Sequence, residues 1–188
     1  MPSIIDSYSE SNQDNGGNVG GIFPALGQCF TGSGAAIGSA QWYIKQYITG
    51  GATGNAIAKI YNTTGTYGTN AKPSGAALAS SSLLDISTLT TSYALYTFNF
   101  TGANSITLTN GTRYCLTIEK YDTWGGTGYI TLGRDASSPS HSGNDVYLSS
   151  GTWNAPFAGD FCFYVYSSDS GGASAVPVIM NQYRQRKA

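Results

Sequence analysis

A single histidine, His141, stands in Ser138-Pro139-Ser140-His141-Ser142-Gly143, and serine or cysteine hydrolase chemistry would have to draw its general base from it. No Gly-x-Ser-x-Gly turn presents a nucleophile beside it. His141 therefore reads as a hydrogen-bonded or solvent-facing loop residue. Glycoside hydrolysis would need two carboxylates flanking one bond, about 5 Å apart or somewhat more. Most of the ten acidic residues fall at strand ends or in turns, and Glu119 alone reads as mid-strand. A calcium ion would need several oxygen ligands converging from one loop. Asp135, Asn144 and Asp145 come nearest, without EF-hand spacing, and capping of turns is the plainer role for them. These residues predict a non-enzymatic protein with no cofactor.

Binding chemistry is better represented. Trp124 and Trp153 lie in the glycine-rich stretches Asp122-Thr123-Trp124-Gly125-Gly126 and Ser150-Gly151-Thr152-Trp153-Asn154, where exposed indoles beside polar residues would make a sugar-stacking platform. The competing reading folds each indole back as a lid over one end of the domain. Fourteen tyrosines suit strands and interfaces, with Tyr43, Tyr47, Tyr164 and Tyr166 the candidate patch. Cys29, Cys115 and Cys162 form no Cys-x-x-Cys pair, which argues against a zinc or redox motif. They read as buried free thiols, with one disulfide between two of them left open. A formal net charge of -1 gives no footprint for nucleic acid, and no apolar run is long enough to span a membrane as a helix.

The elements that must position these residues are strands. Period-2 alternation recurs between Gly, Asn, Ser and Pro clusters, the pattern of an all-β sandwich. Over residues 40–48, Ala40, Trp42, Ile44 and Ile48 share one face and Gln41, Tyr43, Lys45 and Tyr47 the other. The glycine-rich residues 50–54 predict a turn making a hairpin with a strand over 55–62. Ala94, Tyr96, Phe98 and Phe100 predict a core strand, and Asn110-Gly111 a type I′ hairpin turn between strands over 105–109 and 112–121. Further strands are expected over 76–85, 128–134, 145–149 and 160–167. About ten strands suit two packed antiparallel sheets better than one open sheet.

The ends differ in composition. Residues 1–21 predict a polar N-terminal arm, with Ile4, Ile5 and Tyr8 able to pin an edge strand, and residues 22–169 the sandwich. Residues 170–188 predict a linker and a C-terminal arm with a basic tip. Val176, Val178, Ile179 and Met180 make that arm apolar and extended, and Pro177 keeps it from being a central strand. Tyr183, Arg184 and Arg186 complete the candidate assembly arm. No secretory signal pattern opens the chain.

Gly27-Gln28-Cys29-Phe30-Thr31-Gly32, Asp85-Ile86-Ser87-Thr88-Leu89, Asn110-Gly111-Thr112-Arg113-Tyr114 and Asp160-Phe161-Cys162-Phe163-Tyr164-Val165-Tyr166 together resemble jelly-roll β-sandwich domains of bacterial surface proteins and of phage head-decoration and fibre proteins. The resemblance spans residues 3–168. It implies a jelly-roll-like fold and a structural subunit at a virion surface or in another extracellular setting. The implied partners are copies of itself or a major capsid protein, with a cell-surface glycan as the alternative ligand.

Overall fold

The computed structural model describes residues 1–48, 51–126, 128–156 and 159–168. The candidate arm residues Val176, Val178, Ile179, Met180, Tyr183, Arg184 and Arg186 lie outside them. In chain order the strands are β1 (Ile4–Tyr8), β2 (Asn15–Val19), β3 (Ala25–Thr31), β4 (Ile37–Gln46), β5 (Asn55–Thr64), β6 (Lys72–Ser80) and β7 (Leu84–Asp85). There follow β8 (Ala94–Asn99), β9 (Arg113–Lys120), β10 (Ile130–Asp135), β11 (Asp145–Ser149), β12 (Thr152–Asn154), β13 (Asp160–Phe161) and β14 (Phe163–Ser167). They form two curled antiparallel sheets of seven strands each. The first runs β1-β14-β4-β10-β13, with β2 beside β10 and β8 beside β4; the second runs β12-β11-β3-β9-β5-β6, with β7 beside β5.

Alternation sets which face is buried. On β4, Ala40, Trp42 and Ile44 are wholly buried, while Gln41, Tyr43 and Lys45 are only partly so. Phe163 and Val165 of β14 add to the same inner face, and Leu26, Phe30, Leu116 and Ile118 answer from the second sheet. Each such side chain contributes about 1.5–3 kcal/mol by leaving water. The outer face of the second sheet carries a smaller cluster of Cys29, Ala71, Cys115 and Val146, covered by Tyr67, Trp153 and Ala155. This cover explains why β3 is buried at six of its seven positions and shows no alternation. Cys29 and Cys115 face each other across β3 and β9 as a disulfide, so the free-thiol reading holds only for the buried Cys162.

Several expected connections differ. β4 and β5 lie in different sheets, so residues 47–54 form an arch and not a hairpin. Glycines permit a bend without dictating how tight it is. Gln46, buried at the start of the arch, donates its amide to the carbonyls of Ile86 (2.7 Å) and Ala52 (3.4 Å). Ile48 is exposed. The Thr109–Thr112 turn closes with an N–H to carbonyl bond of 3.1 Å, but only Gly111 has positive φ (75°), whereas type I′ needs it at both central residues. Residues 105–109 supply one bridge, Thr107 to Ala36, and β9 pairs with β3 and β5 instead. β8 is an edge strand on β4, with Ala94 exposed and Phe98 and Phe100 buried. The first 21 residues are integral to the sandwich: β1 pairs with β14 and β2 with β10.

Candidate functional site

His141 is where hydrolytic chemistry would have to begin. Its side chain is 6 % exposed and packs edge-on against Phe163, with ring centroids 5.3 Å apart. The Gly143 backbone N–H can only donate, and it points at Nδ1 (3.0 Å). In the neutral ring the proton then belongs on Nε2, which faces Asp6 Oδ1 at 3.2 Å. Both ring nitrogens are engaged with the fold, and neither faces a hydroxyl or thiol nucleophile. Burial opposes charge on Asp6, but His141 and the backbone N–H groups of Thr31 (2.9 Å) and Ser7 (2.8 Å) outweigh it and hold the carboxyl below the ordinary aspartate range.

Behind this pair, Gln28 takes a core-facing position on β3 between Leu26 and Phe30 and ties the two sheets together. Its amide donates to Asp160 Oδ1 (2.8 Å) and to the Gly143 carbonyl (3.2 Å), and its carbonyl accepts the Phe161 N–H (3.0 Å). Asp160 also accepts the His141 backbone N–H (2.8 Å). Burial dominates its ionisation and raises its pKa, against those two donors. Asp135 stands directly opposite Asp160 across β10 and β13, the closest approach to a carboxylate pair in register. Its oxygens accept the Tyr8 hydroxyl (2.6 Å) and the Ser138 N–H (2.9 Å). A cleft of about 280 Å³ opens beside His141, Asn144, Asp145 and Asp160. What the arrangement does chemically is rivet the β1 strand and the 135–143 loop to the sandwich.

The remaining expected site residues are placed as follows. Asn144 spends its amide on the Ala71 backbone, accepting at 3.2 Å and donating at 2.8 Å, and Asp145 is wholly buried on β11. Among the described residues no group of three or more His, Cys, Asp or Glu is placed to hold a metal ion. Trp124 is 8 % exposed; its indole N–H donates to the Asn55 carbonyl (2.8 Å), and the Lys120 ammonium lies over the ring at 5.5 Å. Trp153 sits on strand β12, edge-on to Tyr61 at 6.0 Å. The two indoles belong to separate packing environments. Trp124 does line a groove of about 270 Å³ with Lys120 and Tyr129.

The tyrosines form the most extended feature of the surface. On the outer face of the first sheet, Tyr164 and Tyr166 stack at 6.1 Å, and Tyr43 and Tyr93 at 5.0 Å with the Lys45 ammonium 4.5 Å from the Tyr93 ring. Gln41 joins the pairs, accepting from the Tyr166 hydroxyl (3.3 Å) and donating to Thr97 (3.0 Å). Tyr47 and Tyr129 meet edge-on at 5.9 Å. Glycines make room for the rings: an added Cβ would stand 2.7 Å from the Tyr43 ring at Gly133, 2.5 Å from the Tyr93 hydroxyl at Gly16, and 2.7 Å from the Tyr129 ring at Gly20. Burial between its neighbours pushes the Tyr93 phenol up to about 12. The result is a flat aromatic face whose side chains are already ordered.

Comparison with protein-family models, curated proteins and solved structures returns no match. Sequence reasoning named Tyr43, Tyr47, Tyr164 and Tyr166 but missed Tyr93 and Tyr129. The local signal for those two was glycine enrichment in residues 16–21, which flanking rings require. Gln28 and the Asp6–His141 pair had no local signal, because their partners are more than 100 residues away.

Proposed function

We propose that this protein is a non-enzymatic structural subunit, of the virion decoration or fibre type, that acts at a virion surface or in another extracellular assembly by docking on copies of itself or on a capsid-like partner. The observation that carries this reading is the tyrosine face of the first sheet. Rings held by stacking, by Gln41 and by glycine floors bury area on docking with little further loss of side-chain entropy, the term that usually erodes affinity. The engagement of both His141 nitrogens within the fold supports the same reading over a hydrolase. The C-terminal arm, read from sequence alone, supplies a second contact between neighbours. Sedimentation velocity on the full chain at micromolar concentration tests the proposal. A multimer that Tyr43→Ser with Tyr166→Ser weakens at least tenfold is expected; a monomer throughout, with or without those changes, refutes self-association.

A glycan ligand is the second reading, favoured by the groove that Trp124, Lys120 and Tyr129 share. Binding on a glycan array that is lost in Trp124→Ala and kept in Trp153→Ala would select it. Absence of binding removes it.

A further inference from the structure

We infer that the open edge of β8 is the acceptor for residues 175–180 of a second copy of this chain, which add to the first sheet as an antiparallel strand. This inference rests on the self-association reading and names the surface the arm would use.

The edge is open in a specific pattern. In the β4–β8 ladder Phe100 donates to the Gly38 carbonyl (2.8 Å), so the pairs 98–40, 96–42 and 94–44 exchange bonds with β4, and Leu95, Thr97 and Asn99 direct their backbone groups outward. The Asn99 carbonyl takes the Ser82 N–H (2.8 Å). The backbone groups of Leu95 and Thr97 and the Asn99 N–H remain for an incoming strand. Leu95 is 36 % exposed on this edge, and Leu83, next to Ser82, is 44 % exposed. An unpaired strand edge with apolar side chains is a template for β-strand addition.

Residues 175–180, Ala-Val-Pro-Val-Ile-Met, match the six residues of β8 in length, and Pro177 fixes their register parity. Proline has no N–H, so it must face away from β8. Val176, Val178 and Met180 then turn their backbone groups to Asn99, Thr97 and Leu95. No other parity avoids a lost bond.

Geometry assigns the strand to a neighbour. Ser168 packs on Gly38, where an added Cβ would lie 2.5 Å from the Ser168 Cα, and β8 ends on the other side of that same residue. A strand outside β8 is three strand spacings from β14, about 14 Å, and the linker 169–174 reaches about 20 Å at full extension. The 3-10 turn Gly102–Asn104 follows β8 at this end and is tied to β6 by the Ser80 N–H on Asn104 Oδ1 (3.1 Å). It stands across the direct route of the chain's own tail, while a second copy's tail approaches the edge from outside.

Two variants test this in the full chain. Residues directly opposed in a bonded antiparallel pair have Cα atoms about 5.5 Å apart, within the range of a disulfide. Mixing Thr97→Cys protein with Val178→Cys protein under mild oxidation is expected to give a cross-linked dimer of the two. A chain carrying both cysteines that instead yields only an internally cross-linked monomer shows the tail closing its own edge, and overturns the assignment to a second copy. Absence of either cross-link overturns β8 as the acceptor. Thr97→Pro removes an outward N–H without touching the bonds to β4, and is expected to weaken self-association at least tenfold with the circular dichroism spectrum retained. If deletion of 171–188 abolishes assembly while neither cross-link forms and Thr97→Pro is neutral, the arm reading stands and the β8 acceptor falls. If the full chain never self-associates, the functional reading falls with it.

Discussion

Gln28→Leu is the sharpest perturbation of the network that joins the two sheets. The substitution keeps the apolar bulk between Leu26 and Phe30 but removes three hydrogen bonds: those to the Gly143 carbonyl, the Phe161 N–H and the Asp160 carboxylate. Neutral bonds contribute about 1 kcal/mol each and one to a charged group about 1.5–3, and the orphaned partners stay buried, so the loss at pH 7 is about 3–5 kcal/mol. For a domain of this size that is roughly 8–15 °C in Tm, at about 2–4 °C per kcal/mol. The loss should depend on pH. Burial raises the Asp160 pKa in the folded state, so its contribution is fully present below the unfolded value near 3.8 and declines as pH rises through the folded value. Without the Gln28 donor the folded pKa climbs further and the decline steepens. Asp6, shifted the other way, is common to both proteins and cancels in the difference. Thermal melts of the two proteins from pH 3.5 to 7.5 measure it. A loss under 1 kcal/mol at pH 7, or one that does not shrink toward pH 3.5, refutes the assignment of Gln28 as the ionised carboxylate's partner.

Nitrogen NMR of the only histidine should show the Nε2–H form as the neutral tautomer, and the Nδ1–H form would contradict the contact with Gly143. Burial pushes the Cys162 thiol up to about 12, so a thiol reagent at pH 8 should find no reactive cysteine in the native protein. One should appear on unfolding without reductant, and three on unfolding after reduction. Gly143→Ala places a Cβ 1.9 Å from the Cys29 carbonyl oxygen, backbone that cannot swing aside, and should cost more than 3 kcal/mol in denaturant titration. Gly151→Ala, with positive φ and open space around it, should cost only about 1.

Legibility followed the periodicity of burial. β4 and β14, wet on one face and dry on the other, carry their geometry in alternation, and β11 was readable because its ends are marked by turn residues. β3 was not, since the Cys29–Cys115 cluster buries its second face as well. The 47–54 arch and the 109–112 turn show the limit of glycine signals: Gly permits a conformation, while the choice between hairpin and crossover depends on which strand fills the neighbouring edge. His141 looked like an ordinary loop residue because its partner Asp6 lies 135 positions away. The tyrosine patch was visible as composition, but its flatness depends on Gly16, Gly20 and Gly133, and residue type alone does not say that a glycine lies under a ring.

The pairing of β1 with β14 has a consequence for synthesis. Ser3 finds Ser167 across 164 positions, and Asp6 waits for His141, so the first strand to leave a ribosome has no partner until nearly the last is made. At translation rates of about 5–20 residues per second this leaves β1 without its sheet for roughly 8–30 s. The polar, glycine-rich stretch that follows it keeps so long an exposure from becoming a hazard: an N-terminus richer in apolar residues would have found something else to bind.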